Sequence, residues 1–350
     1  MFGFANNNNK GVVGLDIGSS SVKMVKLSKD RGEYVVSAAA RSDIDAAGGS
    51  DKQKKSATVA AIKDCLKAGD VSDNYVVCGL CGPEVVVRPF SFPNLPAEQI
   101  AQAVKFEAEQ VCPFDTKNIS VDFQVVENDS GKDDVGIDGI LVAAAASAID
   151  KKTQLTAAAF TKCALMDVDD LAILNCFSHC ISHDSSQSLA VIDIGSKFTK
   201  VVILGSDGLP FIRDLPCAAD NIIASLVEQG DNPADSASAT KAAKDALYSS
   251  QVPDSELEKA CEGLVAGINK TLRYYSAKEA VETVTRIYFC GGFSSVPGIV
   301  ELLGKYLFAE VVLWDPFSKI RPRKGAGCEV LLDNEGPSMA LATGLAMRKI

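Results

Sequence analysis

The chain has 350 residues, 47% apolar and 23% charged, ordinary proportions for a globular protein long enough to bury several cores. With 45 acidic against 35 basic residues the net charge is −10, which excludes non-specific nucleic-acid binding and a purely electrostatic hold on a membrane surface. No apolar run approaches the ~18 residues of a spanning helix, and the leading MFGFANNNNK lacks a secretory signature. A cytosolic chain is expected, with its 11 cysteines reduced rather than bridged.

Residues 14–27 read as strand, tight turn and strand. An apolar run delivers Asp16, Gly18 permits the turn, Ser19, Ser20 and Ser21 follow, and Lys23 lies on the second strand. Glycine allows a close backbone approach, and serine-rich turns offer N–H and hydroxyl donors to phosphate oxygens. The Asp itself suits a Mg²⁺ held through waters. Residues 41–55, with Gly48-Gly49-Ser50, read as a loop.

Cys78 and Cys81 form a C-x₂-C pair that, with Cys176, His179, Cys180 and His183, imitates a zinc set. On a strand, positions 78 and 81 point to opposite faces unless the chain turns at Gly79, so metal binding is the disfavoured reading. A helix is expected from Pro96 to Val111, and strands over 121–126 and 140–146. Residues 85–147 thus form a strand-helix-strand-strand module carrying a solvated acidic loop at 127–138. Further on, Asp167 or Asp169 offers a carboxylate to position an attacking water; equally, Asp169-Asp170 opens a helix and complements its dipole, the preferred reading.

Residues 191–204 repeat the first element. From Asp193 onward, through Gly195 and Ser196 to Leu204, seven of twelve positions match those from Asp16, 177 residues earlier. One such hairpin is an ordinary turn; its recurrence half a chain away requires a shared structural role. Helical stretches follow at 233–248 and 257–275. Residues 286–298 read as a buried strand, a Gly291-Gly292 turn with Phe293, and a loop entering a helix near Ile299. Paired glycines let a flat ring lie against the backbone, as an adenine site requires. Trp314 reads as the end of a core strand.

These three elements in this order resemble the actin-like ATPase superfamily. The resemblance implies an α/β, actin-like (ribonuclease H-like) two-lobed fold with a duplicated core. Residues 1–84 and 148–187 would form the first core, 85–147 the inserted module, 188–215 and 285–350 the second core, and 216–284 a small helical subdomain. Residues 85–93, 95–115, 121–126 and 337–348 are similar to the type IV pilus assembly PilM family, and the likeness runs from about Gly11 to the end.

The resemblance further implies ATP or ADP with Mg²⁺ between the lobes. Its phosphates would lie against Asp16, Gly18, Ser19, Ser20, Ser21, Lys23, Asp193, Gly195 and Ser196, with Mg²⁺ on Asp16 and Asp193. Base and ribose would meet Lys241, Lys244, Gly291, Gly292 and Phe293, although Ser236, Ser238 and Ala239 stand where the superfamily carries a Glu. It implies a cytoplasmic scaffold with weak or no hydrolysis. By the same likeness, the chain binds the cytoplasmic N-terminal peptide of PilN in a groove between module and first core, with residues 86–92 and 98–111 as the first guess for that face. Recruitment to inner-membrane platform proteins would then be indirect, without membrane insertion, and self-association stays open. The alternatives are an FtsA-like division or filament protein, disfavoured because the chain ends after its closing helix, and an actin-fold kinase or ATPase.

Overall fold

The computed structural model describes residues 11–45, 49–71, 75–126, 136–182, 187–205, 208–229, 237–278 and 282–350. The leading MFGF, Gly48, most of the acidic loop, His183, Pro233 and Ser236 lie outside these residues.

The first lobe opens with β1 (Val12–Ile17), β2 (Ser21–Asp30) and β3 (Glu33–Asp43), then α1 (Asp51–Ala68) and β4 (Tyr75–Leu80). Helix α1 starts at Ser50, which accepts from the Gln53 amide while the Gln53 side chain reaches back, a reciprocal capping box. Next comes the module: β5 (Val85–Phe92), α2 (Ala97–Val111), β6 (Ile119–Val126) and β7 (Ile137–Ala145). The chain re-enters the lobe through α3 (Ala146–Ala158) and β8 (Lys162–Val168), and leaves along α4 (Asp169–Cys180).

The second lobe repeats the plan with β9 (Ser188–Ile194), β10 (Thr199–Leu204) and β11 (Pro210–Leu215), followed by α5 (Ala219–Gln229), α6 (Ala237–Tyr248) and α7 (Asp254–Ser276). It ends with β12 (Val284–Cys290), α8 (Ile299–Tyr306), β13 (Glu310–Leu313), α9 (Glu329–Glu335) and α10 (Ala340–Ala346).

The duplication is visible in the sheets. One has the order β3-β2-β1-β4-β8, the other β11-β10-β9-β12-β13. In both, the first three strands are antiparallel and the fourth and fifth run parallel to the first. Every residue of β9 is buried, as expected of a central strand covered on both faces.

The lobes share an apolar core. Phe177 of α4 packs edge-on against Tyr288 of β12 at 4.9 Å and Trp314 at 5.4 Å. Around it lie Val25, Val77, Val191, Leu341 and Leu345, drawn from both sheets and α10. Helices α4 and α10 cross closely: a Cβ on Gly344 would overlap the Ala172 carbonyl. Trp314 is one residue past β13 rather than on it, and is buried as packing requires.

The module is a separate antiparallel sheet of order β5-β7-β6. Helix α2 lays Val104 and Ala108 onto Phe90, Leu141 and Ala143. Strand β6 alternates half-buried and exposed residues, the pattern of a sheet with one covered face.

Candidate functional site

Each lobe presents the same hairpin end. In the first, Asp16 opposes Lys23 in register, with Lys23 Nζ 3.4 Å from Asp16 Oδ2. The turn closes with the Gly18 N–H donating to the Ser21 carbonyl at 3.1 Å. In the second, Asp193 opposes Lys200, Lys200 Nζ lies 3.0 Å from Asp193 Oδ2, and the Gly195 N–H donates to the Phe198 carbonyl at 3.1 Å. Gly18 and Ser19 are exposed at the first turn and Ser20 is half-buried, whereas Ser21 is buried at the start of β2. At the second, the Ser196 hydroxyl donates to Asp220 Oδ1 at 2.6 Å, and the Ser196 carbonyl accepts from the Asp220 amide at 2.9 Å.

The third glycine element closes on the second hairpin. Gly291 has φ +94°, and a Cβ there would overlap Asp193 Oδ1 and stand 2.6 Å from the Ile194 carbonyl oxygen. Only glycine satisfies both the left-handed backbone and this approach. Around Gly292, by contrast, a Cβ would meet nothing within 4 Å. The Tyr248 hydroxyl donates to the Gly292 carbonyl at 3.4 Å. Lys241 and Lys244 precede Tyr248 on α6 at helical spacing of the same face, and both are exposed. Phe293 departs from expectation. Its side chain is 0% exposed in the second-lobe core, so only its backbone is available to a ligand.

The start of α4 brings a further carboxylate into the cleft. Asp169 Oδ2 lies 3.7 Å from Lys200 Nζ, and the absence of a Cβ on Gly79 makes room for it. Asp169 and Asp170 do open the helix, without a side-chain cap at Val168, yet both are buried. Burial raises the Asp169 pKa, opposed by Lys200 and Lys152. Burial alone depresses the Lys200 ammonium, but the carboxylates of Asp193, Asp169 and Asp16 lift it well above its ordinary value. Across the cleft the Gly82 N–H donates to Asp214 Oδ2 at 2.7 Å, and a Cβ on Gly82 would stand 3.1 Å from the Phe198 ring, so the end of the first-lobe strand β4 meets the second hairpin. Asp167 is committed elsewhere: Arg348 Nη2 donates to its Oδ1 at 2.6 Å, and Nε to its Oδ2.

Sequence reasoning missed Lys200 and the Asp169 pairing. The signal for Lys200 was present, since this lysine is one of the seven repeated identities. At the Mg²⁺ position expected between Asp16 and Asp193, Oδ2 of each carboxylate is paired with a lysine, Lys23 or Lys200. Among the described residues no group of three His, Cys, Asp or Glu side chains is arranged to hold a metal. The cysteine pair is also split: Cys78 is buried on β4 in the cluster that Cys163 packs against, while Cys81 lies beyond the strand.

A cavity of about 580 Å³ lies elsewhere, lined by Asp122 of β6, Leu165, Met166 and Asp167 of β8, Asn175 and His179 of α4, Tyr34, and residues 347–349. It joins the module to the first lobe. Neither 86–92 nor 98–111 lines it.

The family description "Type IV pilus assembly protein PilM" matches residues 14–350. Among solved structures, a "PilM-PilN type IV pilus biogenesis complex" has a TM-score of 0.81 at 22% identity, covering 96% of this chain and 98% of that one. The ethanolamine utilization protein EutJ from Carboxydothermus hydrogenoformans follows at TM-score 0.56 and 12% identity, covering 96% and 89%. A Bacteroides thetaiotaomicron protein described as having an actin-like ATPase fold and unknown function stands at 0.50 and 8%, covering 99% and 100%. These structures show the fold, which is actin-like; the match over 14–350 shows the family. The chain belongs to the type IV pilus assembly protein PilM family.

Proposed function

We propose that this chain is a nucleotide-binding scaffold of a type IV pilus assembly platform on the cytoplasmic face of the inner membrane. ATP or ADP lies between the lobes, and a PilN-like N-terminal cytoplasmic peptide docks at the junction of module and first lobe. The observation that carries the nucleotide reading is the facing pair of Asp–Lys hairpins, with Gly291 packed on one of them. The exposed turn at Ser19 offers backbone and hydroxyl donors to phosphates, and the free space over Gly292 suits a base.

Turnover is slow or absent, because the carboxylates near the start of α4 have other partners. Asp167 is held by Arg348 and Asp169 by Lys200. A hydrolytic kcat above ~1 s⁻¹ overturns this part.

The peptide reading rests on the cavity and its edges. Strand β8 ends the first-lobe sheet and β6 ends the module sheet. Two edge strands flanking a cleft of about 580 Å³ suit an extended peptide that pairs main chain to main chain. No helix among the described residues is long and apolar enough to cross a membrane, and the reading makes recruitment the partner's task.

Denaturing the purified chain and identifying released nucleotide by chromatography tests the first half; calorimetry with a synthetic PilN N-terminal peptide tests the second. Asn175→Trp, which fills the cavity, is expected to weaken peptide binding by about tenfold or more while leaving nucleotide affinity unchanged. Unaltered peptide binding removes this groove from consideration.

A further inference from the structure

Lys200 stands at the centre of a cage of carboxylates. Asp193 opposes it on β9 and Asp214 opposes it on β11, so an acid flanks it on either neighbouring strand. Asp169 approaches from α4, at 3.7 Å. Asp16, from the other lobe, adds its field. The side chains of Lys200, Asp193 and Asp169 are only 8–9% exposed.

Carboxylate oxygens gathered about one point, here Asp193 at 3.0 Å and Asp169 at 3.7 Å, are what a divalent cation requires. Here that point holds an ammonium supplied by the chain. Mg²⁺ is small, demands near-octahedral oxygen coordination and gives up its waters reluctantly. To enter, it would have to break the 3.0 Å Lys200–Asp193 pair and leave the ammonium buried without its partner, a strongly unfavourable exchange. The ammonium also does what the metal would do for a phosphate. It has three N–H donors; Asp193 takes one, Asp169 lies within ion-pair reach of a second, and a third remains for a phosphate oxygen.

We infer that Lys200 serves as a built-in cation in place of the divalent metal, so that nucleotide phosphates bind this chain independently of Mg²⁺. The inference rests on the proposed nucleotide reading and refines it. It is particular to the second hairpin: at the first, the strand position opposing Lys23 from β3 is Arg41, not an acid, so no second cage forms.

The test is an equilibrium titration of the full chain with a fluorescent ADP analogue, in buffer with EDTA and in buffer with MgCl₂. The dissociation constants are expected to agree within about threefold, whereas a metal-dependent site loses tenfold or more in EDTA. Lys200→Met is expected to lose about tenfold or more in EDTA and to regain part of it with MgCl₂, while Lys200→Arg keeps binding in both. Circular dichroism and thermal unfolding establish that each variant is folded. If Lys200→Met does not fold, the wild-type comparison alone decides. Binding by the wild type only with MgCl₂ overturns the inference and leaves the nucleotide reading intact. No binding in either buffer overturns both.

Discussion

The Asp16–Lys23 pair spans 3.4 Å with both side chains 12% exposed, while Asp193–Lys200 spans 3.0 Å at 9% and 8%. The strands are paired in the same register and the turns close with the same hydrogen bond. The surroundings differ. Lys23 faces Arg41 across β3, and that arginine is drawn outward to Asp43 and Glu335. Lys200 faces Asp214 across β11, meets Asp169 from α4, and has its partner Asp193 pressed by Gly291. One repeated element has thus become an open turn in one lobe and an inter-lobe electrostatic junction in the other. The charges around each pair, rather than the Asp–Lys motif, set how much it matters.

The largest test of this asymmetry is to remove each aspartate. Asp193→Ala leaves Lys200 buried with weakened compensation, and a loss of about 3–5 kcal/mol in unfolding free energy is expected. Asp16→Ala, at a longer pair whose lysine faces no second acid, is expected to lose less, about 1–2 kcal/mol. Urea unfolding followed by circular dichroism measures both, and equal losses break the comparison. In the proposed reading the two aspartates hold Lys23 and Lys200 toward the cleft, so the double alanine variant is expected to weaken nucleotide affinity by about tenfold or more; unchanged affinity removes the clamp altogether.

The glycines give a smaller contrast. Gly291→Ala forces a Cβ onto Asp193 at a residue with φ +94°, and is expected to destabilise by about 2–3 kcal/mol. Gly292→Ala meets open space and is expected to change stability by under about 1 kcal/mol while weakening nucleotide binding, because its methyl enters the proposed base site. A Gly292→Ala variant that binds nucleotide like the wild type places the base elsewhere.

Much of this architecture is legible in the chain because it was written twice. The repeated Asp-Ile-Gly-Ser and the offset of 177 residues announce two homologous sheets, and both sheets have the same strand order. The module's strand-helix-strand-strand order follows from local periodicity and appears as β5, α2, β6 and β7. What sequence does not display is contact between distant segments. Asp169 reads as a helix opener because that role is local; its pairing with Lys200 depends on α4 packing against β10 of the other lobe. Phe293 reads as a ligand residue because it follows two glycines, yet the turn after β12 swings it into the core. The cavity at the module junction draws residues from 34 to 349, a set no motif collects.

A pH slope is expected from the carboxyl pair Asp170 and Asp214 beside the second hairpin. Asp170 is 2% exposed and its Oδ1 has no hydrogen-bond partner among the described residues. Asp214 accepts the Gly82 N–H on Oδ2 at 2.7 Å and likewise leaves Oδ1 unpartnered. Burial first, then the Asp214 carboxylate, pushes Asp170 well above the ordinary 3.8, and burial raises Asp214 as well. The folded chain therefore retains protons on this pair that the unfolded chain releases above about pH 4. Raised folded pKa values mean that the pair's contribution is fully present below that pH and is lost as pH rises through the folded values. Asp170→Asn keeps the shape and removes the titration. It is expected to flatten the decline in stability from about pH 4 upward and to exceed the wild type by about 1 kcal/mol near neutrality. Denaturant midpoints across that range provide the measurement, and a wild-type slope unchanged in Asp170→Asn assigns the titration to other groups. Because Asp214 also opposes Lys200 in register, a flattened slope accompanied by altered nucleotide affinity ties this carboxyl pair to the same cage, whereas a flattened slope alone confines it to packing between α4 and β11.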